Sequence, residues 1–285
     1  MSEVRKRGRL VPYLLSLPGL TWLLIFFAIP VATMASLSLQ EGSLERGYEL
    51  TWRWSNYTDA FSKYDTQLYR SLFYGSIVTA ATLAISYPMA YWIATKAGRR
   101  KNIFLLLILL PFFTPFVIRT LSWKFILADE GIVLGWLKDL GFLADGFQVL
   151  ATPVAVVSGL IYNFLPFMAL PLYVALERLD PSLMDAAYDL YSTKVQVFRR
   201  VIWPLSLPGV FAGSLLVFIP SVGDFINAEL LGGVRTTMIG NVIQRELLTN
   251  NDYPEGAALS LLLMVGILVG IAFYVRAVGS EEALG

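Results

Sequence analysis

The chain has 285 residues, of which 56% are hydrophobic and only 15% charged, with a formal net charge of +1. About a quarter of the residues in a soluble domain are charged, so this composition fits a protein solvated by lipid, and the small net charge argues against nucleic acid as a partner. Cys and His are both absent, which removes disulfides, thiol nucleophiles, Cys/His zinc sites and imidazole acid–base chemistry.

Six windows are free of Asp, Glu, Lys and Arg: Leu10–Gln40, Ser71–Thr95, Asn102–Ile118, Gly146–Leu176, Val201–Gly223 and Gly256–Val275. A spanning helix takes roughly 20 apolar residues, so each window predicts one transmembrane helix and the chain an all-α polytopic membrane protein. The third window is the shortest and is expected to continue past Arg119 through Trp123 toward Leu127. Pro30, Pro111, Pro115, Pro166 and Pro220 fall within windows, where neighbouring helices can re-satisfy the freed carbonyls. The first window is too long for a signal-peptide core and lacks an A-x-A site, so it predicts an uncleaved anchor. After it, Glu41–Arg70 is polar and aromatic, and Tyr48, Trp52, Trp54 and Tyr57 read as an interfacial belt.

Orientation follows from Lys and Arg. With the N-terminus in the cytoplasm, Arg5, Lys6, Arg7, Arg9, Lys96, Arg99, Arg100, Lys101, Arg178, Lys194, Arg199, Arg200 and Arg276 all fall inside, as the positive-inside rule requires. Both termini are then cytoplasmic. The expected organisation is a basic N-terminus, first span and external aromatic loop (1–66), a five-helix transmembrane domain (67–275) and a short cytoplasmic tail (276–285).

One inside passage, Leu179–Gly209, interrupts the apolar pattern. Asp180 before Pro181 is a helix start of the N-cap then N1 type. From there Leu183, Ala186, Ala187 and Leu190 recur at helical spacing, and a second run, Val195 to Trp203, leads into Pro204. Such a helix is too short and too charged to span. It fits a solvated connection, a helix lying on headgroups, or an insert for a groove on another protein.

Asp185-Ala186-Ala187 followed by Pro204 resembles the "EAA" loop of ABC importer permeases of the binding-protein-dependent, MetI-like family. That pattern is E-A-A, three residues, Gly, nine residues, then I-x-L-P. The register holds here, with Asp185 for Glu, Tyr191 for Gly, Val201 for Ile and Trp203 for Leu. "PFFTPFVIRTLSWKFIL" (Pro111–Leu127) and "IPSVGDFINAELLGGVRTTMIGNVIQREL" (Ile219–Leu247) resemble the spermidine/putrescine, PotB-like branch of the family. The resemblance implies a type I ABC importer permease fold in a bacterial cytoplasmic (inner) membrane. It implies that Leu179–Pro204 is a coupling loop for a separate ATPase, through Asp185, Ala186, Ala187, Leu190, Tyr191 and Pro204. The chain has no G-x-x-x-x-G-K-[ST] loop, so it is expected to bind no cofactor itself and to leave ATP and Mg to a cytoplasmic, PotA-like ATPase dimer. A homologous PotC-like second permease and an extracytoplasmic PotD-like polyamine-binding protein complete the implied partners, with membrane lipid around them and no nucleic acid. The same branch resembles permeases for ferric iron, thiamine, aminoethylphosphonate and opines. A self-contained secondary transporter remains the alternative of another class, although no inverted repeat is evident.

Ionisable residues near spans are functional candidates by default. Asp224 and Glu229 follow the fifth window, Asp224 about 27 Å along a helix from Ser206, in the outer half of the membrane or at its rim. A polyamine calls for carboxylates along a path with aromatic faces between them, which Asp224, Glu229, Phe225 and Trp123 supply. The other reading is that Asp224 caps a bent helix and Glu229 faces water. Arg119 repels a polyamine unless an acid pairs with it, and reads as structural. Gly266-x-x-x-Gly270 is a spacing that permits close helix contact.

Overall fold

The computed structural model describes residues 15–144, 146–190 and 193–282. Among the described residues, five helices are long and apolar enough to span a membrane: α1 (Leu15–Leu37), α2 (Ser55–Lys96), α6 (Pro153–Glu177), α8 (Lys194–Val222) and α11 (Tyr253–Glu282). A bent pair, α3 (Gly98–Phe113) and α4 (Phe116–Ile126), whose axes turn through 92°, makes a sixth span if the two limbs are counted as one. The helix does continue past Arg119 through Trp123 to Ile126, but it is preceded by a break at Thr114 and Pro115. Its cause is local: Thr114 precedes Pro115, and both adopt extended backbone (ψ 135° and 142°), because a residue before proline is driven out of the helical region. The short helices are α5 (Ile132–Asp139), α7 (Pro181–Asp189), α9 (Ile226–Leu231) and α10 (Ile239–Leu248).

Two other prolines bend the ladder without breaking it. α1 contains a π turn at Leu24–Ala28 just before Pro30, and α8 one at Phe198–Ile202 just before Pro204. In each, the residue ahead of the proline donates five residues back, Ile29 to Leu24 and Trp203 to Phe198. The proline has no N–H for the usual four-residue bond, and the widened turn absorbs the defect.

The chain forms two compact units, one from residues up to Tyr64 with Ile243–Gly270, the other from Asp65–Val242 with the residues from Ile271. In the first, α1 leads to an antiparallel hairpin, β1 (Gln40–Ser43) and β2 (Gly47–Leu50), that apolar windows gave no sign of. Gly47, at φ +79°, makes its turn. Asn56 Nδ2 donates 2.9 Å bonds to the carbonyls of Ser38 and Gln40. The helical pattern of α2 begins sixteen residues before the Ser71 window and kinks at Tyr64 (φ −126°, ψ 21°). There Tyr64 Oη donates to the buried Glu246 at 2.8 Å, and Lys63 Nζ lies 2.8 Å from Glu255. Burial alone raises the Glu246 carboxyl, but bonds from Asn250 and Tyr64 with the charges of Lys63 and Arg245 outweigh it and hold it below the usual range.

The second unit is built on α6 and α8. Hydrocarbon gives helices no solvent-driven reason to associate, so van der Waals fit must do it. That fit is made by Gly209-x-x-x-Gly213. A Cβ on Gly209 meets Ala175 Cβ at 2.5 Å and the Pro171 carbonyl at 2.8 Å, and one on Gly213 meets Met168 Sδ at 2.7 Å. A Cβ on Gly266, whose spacing to Gly270 permits close contact, meets nothing within 4 Å of this chain's described residues. Leu160, Met168, Leu172, Val217 and Met238 form the buried core around this pair.

Candidate functional site

The Leu179–Gly209 passage is built as two unlike pieces. α7 starts at Asp180, whose carboxylate accepts the Ser182 N–H at 2.9 Å, with Pro181 at the first helical position. That bond, with the Ser182 hydroxyl, holds the Asp180 carboxyl below its usual range. Met184 and Ala187 pack against the core. Leu183, Asp185, Ala186, Tyr188 and Leu190 face outward, Leu190 being 80% exposed. Tyr191 lies outside the described residues.

The second piece opens on a capping box: Thr193 Oγ1 accepts the Gln196 N–H, and Gln196 Oε1 accepts the Thr193 N–H at 2.8 Å. From there the helix runs through exposed Pro204 into α8 without a break. The run expected over Val195 to Trp203 is therefore the first turns of the span itself. Val197 and Ile202 are buried. The Tyr87 ring stands 5.6 Å from Phe198 and 5.3 Å from Trp203, and Tyr87 Oη meets Ser206 Oγ at 2.8 Å. The indole at Trp203, in place of the resembled leucine, fills this cluster.

At the other end of α8 sits a buried polar chain. Asp224, 8% exposed, accepts the Asn227 N–H at 2.7 Å and its Nδ2 at 3.1 Å, and so caps α9. Asn227 Oδ1 accepts Asn163 Nδ2 at 2.9 Å and Thr120 Oγ1 at 3.2 Å, which joins α9, α6 and α4. Two glycines let the backbones approach. A Cβ on Gly159 meets Leu231 Cδ1 at 2.4 Å, and one on Gly240 meets the Gly223 carbonyl at 2.5 Å.

The other pathway candidates stand apart from this chain. Glu229 is exposed and accepts Asn241 Nδ2 at 3.1 Å. Phe225 is largely exposed, and Trp123 packs edge-on to Tyr162 at 5.3 Å. Sequence reasoning missed Thr120, Asn163 and Asn227. A signal was available for Asn163 alone, a polar side chain inside a charge-free window that must find a partner in hydrocarbon; Thr120 and Asn227 lie outside the windows.

A family model described as "Binding-protein-dependent transport system inner membrane component" matches residues 83–278. The chain is 39% identical over 260 residues to the spermidine/putrescine transport system permease protein PotB of Haemophilus influenzae, covering 90% of each. It is 35% identical over 257 residues to PotB of Escherichia coli, covering 90% of this chain and 94% of that one. Among solved structures, a chain of a bacterial ABC transporter involved in import of the acidic polysaccharide alginate superposes with a TM-score of 0.71 at 19% identity, over 98% and 99% of the two chains. At that identity the likeness concerns the fold.

Proposed function

We infer the function from the family to which this chain belongs, the inner membrane components of binding-protein-dependent transport systems. It is a multi-pass permease subunit of an ABC importer, and we propose that its cargo is a polyamine of the spermidine/putrescine class. In this reading a separate PotA-like ATPase dimer binds ATP and Mg and docks on α7. A homologous PotC-like permease supplies the second half of the pathway, and a PotD-like extracytoplasmic protein delivers the cargo. Both termini, and α7 with them, then lie on the cytoplasmic side.

The observation that carries the coupling role is mechanical. An exposed short helix packs, through Met184 and Ala187, on the core cluster that also holds Val197 and Ile202 of α8, so a displacement of α7 has a route through packed side chains into that long apolar helix. The substrate class is supported by the PotB relatives.

The test is uptake by vesicles containing this chain, the second permease and the ATPase, with binding protein outside. Spermidine accumulation is expected only with ATP inside and binding protein present; accumulation without nucleotide overturns the reading. Ala186→Arg, on the outward side of α7, is expected to leave thermal stability unchanged and to abolish ATP-driven uptake. Unchanged uptake in that variant removes α7 as the docking helix.

A further inference from the structure

α6 and α8 run antiparallel, with Gly209 against Pro171 and Gly213 against Met168, and beside this pair lies an open groove of about 680 Å3. Phe167 and Val174 of α6 and Leu205 and Leu216 of α8 line it and are exposed. Phe167 and Leu216 stand at one end, Leu205 and Arg178 at the other. Arg178 is itself exposed, and no hydrogen bond or ion pair among the described residues involves it. The acids next to it in sequence are engaged elsewhere, Glu177 with Lys101 and Asp180 with the Ser182 N–H. An otherwise apolar groove therefore ends on a guanidinium without a counter-charge.

Length, level and volume select what fills it. From Phe167 to Arg178 the groove follows α6 for about 16 Å at the rise of an α-helix, close to the ~15 Å that one leaflet contributes to the hydrocarbon core. α6 has 25 residues, so at about 37 Å it outruns a core of about 30 Å, and Arg178, just past its last turn, stands among the headgroups. A second helix does not fit the floor of the groove. It is about 10 Å across, so a stretch of the same length fills about 1,300 Å3, roughly twice the space. Such a helix rests on the rims and forfeits dispersion contact beneath it. A single hydrocarbon chain enters.

We propose that this groove binds one acyl chain of a phospholipid whose anionic headgroup is held by Arg178. A phosphate matches the planar guanidinium with its parallel N–H donors, and a headgroup with no cation of its own leaves that contact unopposed. The site therefore prefers an anionic lipid such as phosphatidylglycerol to a zwitterionic one. It is independent of the cargo. The bound headgroup lies beside Leu179, which joins α6 to α7 and packs on the core.

The test uses the complex that purifies with this chain, reconstituted in phosphatidylcholine vesicles. These hold equal traces of phosphatidylglycerol and phosphatidylcholine that carry a photoreactive diazirine on one acyl chain. After illumination the labelled peptides are mapped. Over residues 166–179 and 205–216, which line the groove, phosphatidylglycerol is expected to label about fivefold more than phosphatidylcholine, the preference that one basic residue at a lipid surface confers. R178K should retain that preference. R178Q should bring the two probes level while both still label, and A212F, which fills the groove from α8, should cut the label from both. Equal labelling in the wild type, a preference that survives R178Q or is lost in R178K, or label undiminished in A212F overturns the proposal. A groove left unlabelled in the complex overturns it too; label there in this chain alone then shows that another subunit covers the groove.

Discussion

At its first turns α8 is held to α2 by rings and, among the described residues, one side-chain hydrogen bond: Tyr87, Phe198 and Trp203 pack together, with Tyr87 bonded to Ser206. Past its last turn the chain is held by hydrogen bonds that run from Asp224 through Asn227 to Asn163 and Thr120. The two fastenings behave differently under load. Ring packing is tolerant of small shifts and loses energy gradually, whereas a buried polar chain is either satisfied or costly. The end nearest the exposed α7 can therefore yield by degrees, and the far end is suited to two discrete arrangements. That contrast is what a helix relaying motion from a surface to a buried site requires.

The sharpest way to break the comparison is at the polar end. Asn227→Leu removes the amide that serves Asp224, Asn163 and Thr120 at once and leaves a carboxylate short of donors. A loss of about 3 kcal/mol is expected, read as a large drop in the thermal midpoint of the purified complex. A loss no greater than that of a surface change shows that the polar chain is not a fastening. The close approach of α6 and α8 comes next. Gly213→Leu drives a side chain into Met168, with an expected cost of about 2 kcal/mol, while Gly266→Leu meets nothing within 4 Å and is expected to leave this chain's own stability unaltered. Equal effects of the two show that the packing has been misassigned.

What the sequence makes legible follows the same division. Local chemistry is readable. Asp180 and Pro181 announce α7, and six charge-free windows announce the five long apolar helices and the bent pair seen among the described residues. Tertiary chemistry is not. Pro111 and Pro115 are visible in the third window, but hydropathy has no direction in it and cannot report a 92° turn. Gly209 and Gly213 carry the same spacing as Gly266 and Gly270, and only the facing side chains of α6 show which pair is used. Asn163 and Thr120 are unremarkable in sequence because the partner that satisfies them, Asn227, is 64 residues away from Asn163 and 107 from Thr120. The PotB-like block from Ile219 held the polar end of the site and allowed Asp224 to be read as a cap, without indicating that Asn227 is the residue it bonds.

At the ring end a smaller effect is expected. Tyr87→Phe keeps the aromatic cluster and deletes only the bond to Ser206, a loss of about 1 kcal/mol. The contrast between ends predicts that this variant retains most ATP-driven uptake, because the rings still carry the load. Uptake lost in Tyr87→Phe as fully as in Asn227→Leu shows that both ends are hydrogen-bond latches and that the proposed difference does not exist.

The smallest effect belongs to α7, outside both fastenings. The Asp180 carboxylate is held below its usual range by the Ser182 N–H, so it binds protons less readily in the folded chain than in the unfolded one. Its contribution is therefore fully present above the ordinary carboxyl value of about 4 and is lost as pH falls through the depressed folded value. Asp180→Ala should fray α7 at every pH, whereas Asp180→Asn caps without a charge and should show no acid step. Amide hydrogen exchange at Leu183 and Met184 reads this directly. Protection that is the same in the wild type and in Asp180→Ala would mean that α7 is kept helical by Met184 and Ala187 against the core rather than by its cap, and the route from α7 into α8 would then depend on that packing alone.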